Sequence, residues 1–80
     1  MQERYIADKY LTVNEMTAVF GVSVMTIYKW RKFQELPYFK VSPEKRSEVK
    51  FDIDEVLNWA KKRDKKIYKD PWQLKNKASA

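Results

Sequence analysis

Between Ser23 and Lys32 the sequence SVMTIYKWRK gathers side chains suited to meeting a polyanion. If this stretch is a helix entering a major groove, Met25, Thr26, Tyr28 and Lys29 are its early outward positions. Lys29 is able to donate to guanine O6 or N7, while Met25 and the Thr26 methyl suit the methyl group of thymine. Ser23, at the helix start, is placed to reach a phosphate, and Arg31 and Lys32 suit phosphates better than base edges. The competing reading sets Tyr28 against a neighbouring hairpin and leaves Met25 covering the core edge. A second polar set, Lys40, Lys45, Arg46, Ser47 and Lys50, falls in a segment that alternates apolar and polar residues. A strand pair there would carry Lys45 and Arg46 at its tip, set to enter a minor groove or hold the backbone. The plainer alternative is a solvated loop tip, with Glu44 and Glu48 weakening its positive field.

Other chemistries find no material. The chain has no cysteine and no histidine, which excludes disulfides, zinc fingers and histidine-based catalysis. One glycine cannot build a phosphate-cradling loop. Asp52, Asp54 and Glu55 are explained by a helix start, where carboxylates cap free N–H groups and complement the helix dipole. No enzymatic activity, cofactor or metal is therefore expected.

The elements that must position these residues announce themselves by their ends. Thr12 and Glu15 form a capping box, with Leu11 and Met16 as the flanking staple. Met16, Val19 and Phe20 make one apolar face, and Gly21 stops the helix, because glycine enters the left-handed region without a Cβ penalty. Val22 and Ser23 then repeat staple and cap for a second helix, whose Ile27 and Trp30 face the core. Two helices around a tight glycine turn read as a helix-turn-helix. Asp52, Glu55 and Val56 repeat the same local chemistry for a third helix, with Ile53, Val56, Leu57 and Ala60 on one face. Trp59 falls at the flank of that stripe, so its burial is left open.

Between helices two and three, Phe39 and Val41 alternate with Tyr38 and Lys40, and Val49 and Phe51 with Glu48 and Lys50. Period two on both sides of a polar tip predicts a two-stranded wing over 38–51. Phe39, Val41, Val49 and Phe51 are expected to face the helices, leaving Lys40 and Lys50 towards solvent. The fold class expected is mainly α with a small β-hairpin: three helices plus a wing. Residues 1–10 are expected to form an N-terminal arm, 11–68 the winged domain and 69–80 a flexible basic tail, with Asp70–Pro71 ending any continued helix.

Eighty residues suffice for one small domain, and 44% apolar content argues against disorder. The net charge is +6, and its placement is uneven. Up to Ala60 the basic residues are matched by acids; from Lys61 onward Lys61, Lys62, Arg63, Lys65, Lys66, Lys69, Lys75 and Lys77 face only Asp64 and Asp70. A polyanion is the partner such a balance favours. The run KKRDKK itself also suits a helix C-terminus, so a solvated face with a supporting, non-specific role on DNA is expected. With no apolar run of membrane length and no leader pattern, the expectation is a soluble protein of the bacterial cytoplasm with no membrane partner.

Phe20-Gly21-Val22-Ser23, Thr26-Ile27, Trp30, Leu36-Pro37 and the block Val49…Phe51-Asp52…Val56…Trp59 together resemble the excisionase/MerR-type winged helix-turn-helix superfamily. Within it they are most similar to the DNA-binding domain of lambda-type phage terminase small subunits. The resemblance covers roughly Leu11 to Arg63. It departs at the wing tip, where relatives often carry glycine and arginine, and at Val24, a position frequently basic in excisionases. What it implies is sequence-specific binding of double-stranded DNA by helix 23–34 and wing 38–51, in a phage or mobile element. Viral genome packaging beside a terminase large subunit, excision beside a recombinase, and transcription regulation are the roles implied, with several copies side by side on DNA. A protein-interaction adaptor on the same fold is the alternative from another class.

Overall fold

The computed structural model describes residues 9–43 and 48–79. In chain order the elements are β1 (Tyr10–Leu11), α1 (Val13–Phe20), α2 (Val24–Phe33), β2 (Phe39–Lys40), β3 (Val49–Asp52), α3 (Ile53–Lys62) and α4 (Pro71–Ser79). The domain is mainly helical, with one small antiparallel sheet in the order β1-β3-β2.

Each helix begins as its local chemistry dictates. Thr12 Oγ1 accepts from the Glu15 N–H at 3.2 Å while Glu15 Oε1 accepts from the Thr12 N–H at 2.9 Å, a complete capping box. Ser23 Oγ accepts from the Thr26 N–H, and Asp52 accepts from both the Asp54 and Glu55 N–H groups. The Asp52 carboxylate is thus the cap of α3, and Asp54 and Glu55 fall in its first turn, where acids complement the helix dipole. Gly21 ends α1 at φ +65, and the Gly21 and Val22 N–H groups both donate to Thr17 O. α3 closes in the same manner without a glycine: Asp64 takes φ +59, and the Lys65 N–H donates to Ala60 O.

Leu11, Met16, Val19, Phe20, Ile27, Leu36, Phe51, Ile53, Val56, Trp59 and Ala60 form the core. Each large side chain among them contributes about 1.5–3 kcal/mol by leaving water. Phe20, Trp30 and Trp59 meet edge-on or tilted at 5.2–6.0 Å between centroids. Trp59 is buried, which settles its place in the core, and its indole N–H donates to Gln34 O at 2.8 Å, at the exit of α2.

The sheet departs from expectation in two ways. It has three strands, because Tyr10–Leu11 pairs with Phe51–Asp52 and the Ile53 N–H donates to Lys9 O; residues 1–8 of the expected arm lie outside the described residues. The register also differs by one residue. Phe39 lies opposite Lys50 and Lys40 opposite Val49, so Lys40 shares the helix-facing side with Val49 and the buried Phe51. Phe39 and Val41 take the outer side, 39% and 55% exposed. The third strand supplies the reason: Tyr10, on that outer side, receives Phe39 in an edge-to-face contact at 5.1 Å.

The tail differs as well. After α3 the chain crosses the end of α1, where the Tyr68 and Lys69 N–H groups both donate to Val19 O. Asp70 accepts from the Trp72 N–H, and Pro71, itself buried, opens α4. Proline serves here as a helix starter, since its missing N–H would have no partner at that position anyway. Leu74 packs on the core, and Lys75 Nζ reaches Glu15 at 2.9 Å. No helix among the described residues is long and apolar enough to cross a membrane.

Candidate nucleic-acid interface

α2 is fixed from four directions. Gly21 sets its entry, Ile27 plugs it into the core, Trp30 stacks in the aromatic cluster, and Trp59 holds the carbonyl at its exit. A side chain at the corner would be strained, because residue 21 holds φ +65 and a Cβ there would lie 3.2 Å from Tyr68 Cδ1. What remains outward is a ridge of Met25, Lys29 and Lys32, three and four residues apart and all exposed, with Met25 at 62%.

Two flanks border that ridge. On one side Tyr28 and Arg31 turn towards the hairpin and share a groove of about 560 Å³ with Thr12, Val13, Asn14, Val24, Lys40, Glu48 and Val49. Arg31 is half-buried, its guanidinium carbon 4.0 Å from the Tyr38 ring centroid and 5.6 Å from that of Tyr28. On the other side Lys65 Nζ sits 4.5 Å over the Trp30 ring, and Lys66 Nζ 5.1 Å over Tyr68. Among the described residues, Lys29, Arg31, Lys32 and Lys40 have no carboxylate within ion-pair distance.

The residues expected to bind are therefore brought together in part. Met25, Lys29 and Lys32 form the ridge, and Tyr28, Arg31 and Lys40 line its hairpin flank. Ser23 and Thr26 are less free: their hydroxyl oxygens bond each other at 3.2 Å while Ser23 Oγ caps the helix, and Thr26 is half-buried. Lys50 lies on the outer side of the sheet opposite Phe39, on the other face from Lys40. Lys45, Arg46 and Ser47 lie outside the described residues. Tyr38 was missed by sequence reading, since alternation marks it only as a polar-face strand residue. Its position just past Leu36-Pro37, one turn beyond the end of a helix rich in cations, is the signal that was available.

A family model described as a helix-turn-helix domain matches residues 10–64, from β1 through α3. The chain belongs to the helix-turn-helix domain family. No curated protein and no solved structure gives a match. Membership in the helix-turn-helix family points to double-stranded DNA as the partner. It gives no ground for preferring a terminase role or a phage origin, and the excisionase-like alternative fits equally well. Tyr68, which lies against Gly21, and α4, whose Lys75 meets Glu15, fall beyond the matched residues.

Proposed function

We propose that this protein is a sequence-specific double-stranded DNA-binding module that reads a major groove with α2 and uses the β2–β3 hairpin as a wing. The observation that carries the reading is the ridge Met25–Lys29–Lys32, flanked by Arg31 and Lys40, with no carboxylate paired to any of these four cations among the described residues. Cations left unpaired along a rigid, outward helix are costless in water and become favourable when they displace counterions from DNA. Lys29 reads a base edge; Lys32, Arg31 and Lys40 hold phosphates.

Packaging initiation, excision and transcription regulation all use such a module, and the surface does not choose among them. Fluorescence anisotropy with random-sequence duplex tests the core claim. Binding at ~50 mM salt that weakens steeply towards ~200 mM is expected. No binding at the lower salt would overturn the proposal and favour the protein-interaction adaptor. Selecting bound fragments from a source genome then separates the roles, by whether sites cluster near a packaging start, attachment sites or a promoter.

A further inference from the structure

We propose that Tyr28, Arg31 and Tyr38 form a clamp for one DNA backbone phosphate, in which Tyr38 positions the Arg31 guanidinium. The proposal rests on the reading of α2 as the DNA-docking helix and names a backbone contact made beside it. The Arg31 guanidinium carbon lies 4.0 Å from the Tyr38 centroid and 5.6 Å from the Tyr28 centroid. A guanidinium is planar and weakly hydrated, so it rests on aromatic faces while keeping the N–H groups of its edge for a ligand. Here that edge is unsatisfied. Arg31 Nε is buried with no hydrogen-bond acceptor, and no carboxylate pairs with the side chain among the described residues. A buried donor without an acceptor is unfavourable unless a bound partner supplies one.

A phosphodiester supplies it. Two non-bridging oxygens carrying one negative charge match the arginine fork in a bidentate pair, through Nε and one terminal nitrogen. Because Nε is enclosed in the free protein, the clamp requires the guanidinium to shift along the Tyr38 ring for Nε to meet the phosphate. A partner's carboxylate would satisfy the same fork, but the neighbours favour a backbone. Lys32 shares a small pocket with Tyr28, Arg31 and Tyr38, and Lys40 lines the adjoining groove with Arg31. Three cations strung beside one helix suit a polyanion strand better than a single carboxylate, even with Glu48 in the same groove.

Tyr38 is 43% exposed and lies outside the core, so its replacement leaves the fold standing. The test is fluorescence anisotropy on random-sequence duplex between ~50 and ~200 mM salt, with circular dichroism to confirm folding of each variant. Arg31→Ala is expected to reduce the slope of log K against log salt by about 0.9, the value for one lost phosphate contact. Tyr38→Leu should weaken binding about three- to fivefold with the same change in slope, while Tyr38→Phe, which keeps the ring, binds as the wild type. Combined with Arg31→Ala, Tyr38→Leu should cost nothing further. Unchanged affinity in folded Tyr38→Leu, or an equal loss in the presence and absence of Arg31, overturns the clamp while leaving the DNA reading intact. Failure of the wild type to bind at ~50 mM salt overturns both.

Discussion

Lys9 and Lys75 each close on a carboxylate. Lys9 Nζ meets Asp52 at 3.2 Å and ties the start of β1 to the cap of α3, and Lys75 Nζ meets Glu15 at 2.9 Å and ties α4 to the capping box of α1. Along α2 and the hairpin the same residue types behave differently: Lys29, Arg31, Lys32 and Lys40 pair with no carboxylate among the described residues, and Arg31 and Lys32 rest on aromatic rings instead. The contrast separates two uses of positive charge in one small domain. Paired cations hold elements together; the unpaired ones along α2 are those proposed to meet DNA. Net charge alone does not reveal this division, because the excess of basic residues lies from Lys61 onward while the unpaired cations of α2 lie elsewhere.

Four experiments break or sharpen that contrast. The largest effect belongs to the core on which both regions depend. Phe51→Ala should lower unfolding stability by about 3–5 kcal/mol in urea denaturation, because a fully buried ring between the sheet and helices leaves a cavity. Next comes the α2 ridge. Lys29→Ala should reduce discrimination between selected and scrambled duplex by about 1–3 kcal/mol with no change in melting temperature. Lys62→Ala, on the exposed end of α3, should weaken binding to both duplexes alike; equal losses from both variants would remove Lys29 from base reading.

A stabilising change follows. Asp64 holds φ +59, a conformation that costs an L-residue about 1–2 kcal/mol, so Asp64→Gly should raise stability by about 1 kcal/mol in urea denaturation. The smallest effect tests the paired side. Burial pushes the Glu15 carboxyl up, but the Thr12 N–H and the Lys75 ammonium outweigh it and hold it below its usual value of 4.5. A depressed carboxyl pKa contributes stability above its unfolded value, and that contribution is lost as pH falls through the folded one. Partial solvent exposure of both side chains limits the pair to about 0.5–1 kcal/mol. Lys75→Ala should therefore cost about that much near neutral pH and flatten the acid loss below about pH 4.5, with the salt dependence of DNA binding untouched.

The legible parts of this sequence were those decided within a few residues. The capping box at Thr12–Glu15, the Gly21 corner and the Asp52 cap are local hydrogen-bond and dihedral chemistry, and each forms as the sequence implied. The outward placement of Met25, Tyr28 and Lys29 followed from helical periodicity once Ile27 was assigned to the core, whereas Thr26, expected beside them, is half-buried. The sheet was less legible. Alternation gives a strand two faces but does not say which faces inward, and a shift of one residue exchanges them. Tyr10 decided the matter from another part of the chain by giving Phe39 an aromatic partner on the outer side, which moved Lys40 into the groove and Lys50 away from it.

Sequence alone thus determined where the first three helices begin, that glycine suits the corner ending the first, and that a basic ridge follows it, since each depends on neighbours within about one or two turns. Tertiary structure decided which cations are paired, that Tyr38 lies over Arg31, that Tyr68 backs the Gly21 turn, and that Lys75 ties the last helix to Glu15. Those contacts join residues far apart along the chain. Their energies are small beside the burial of the core, so only the packing of that core brings the partners within reach.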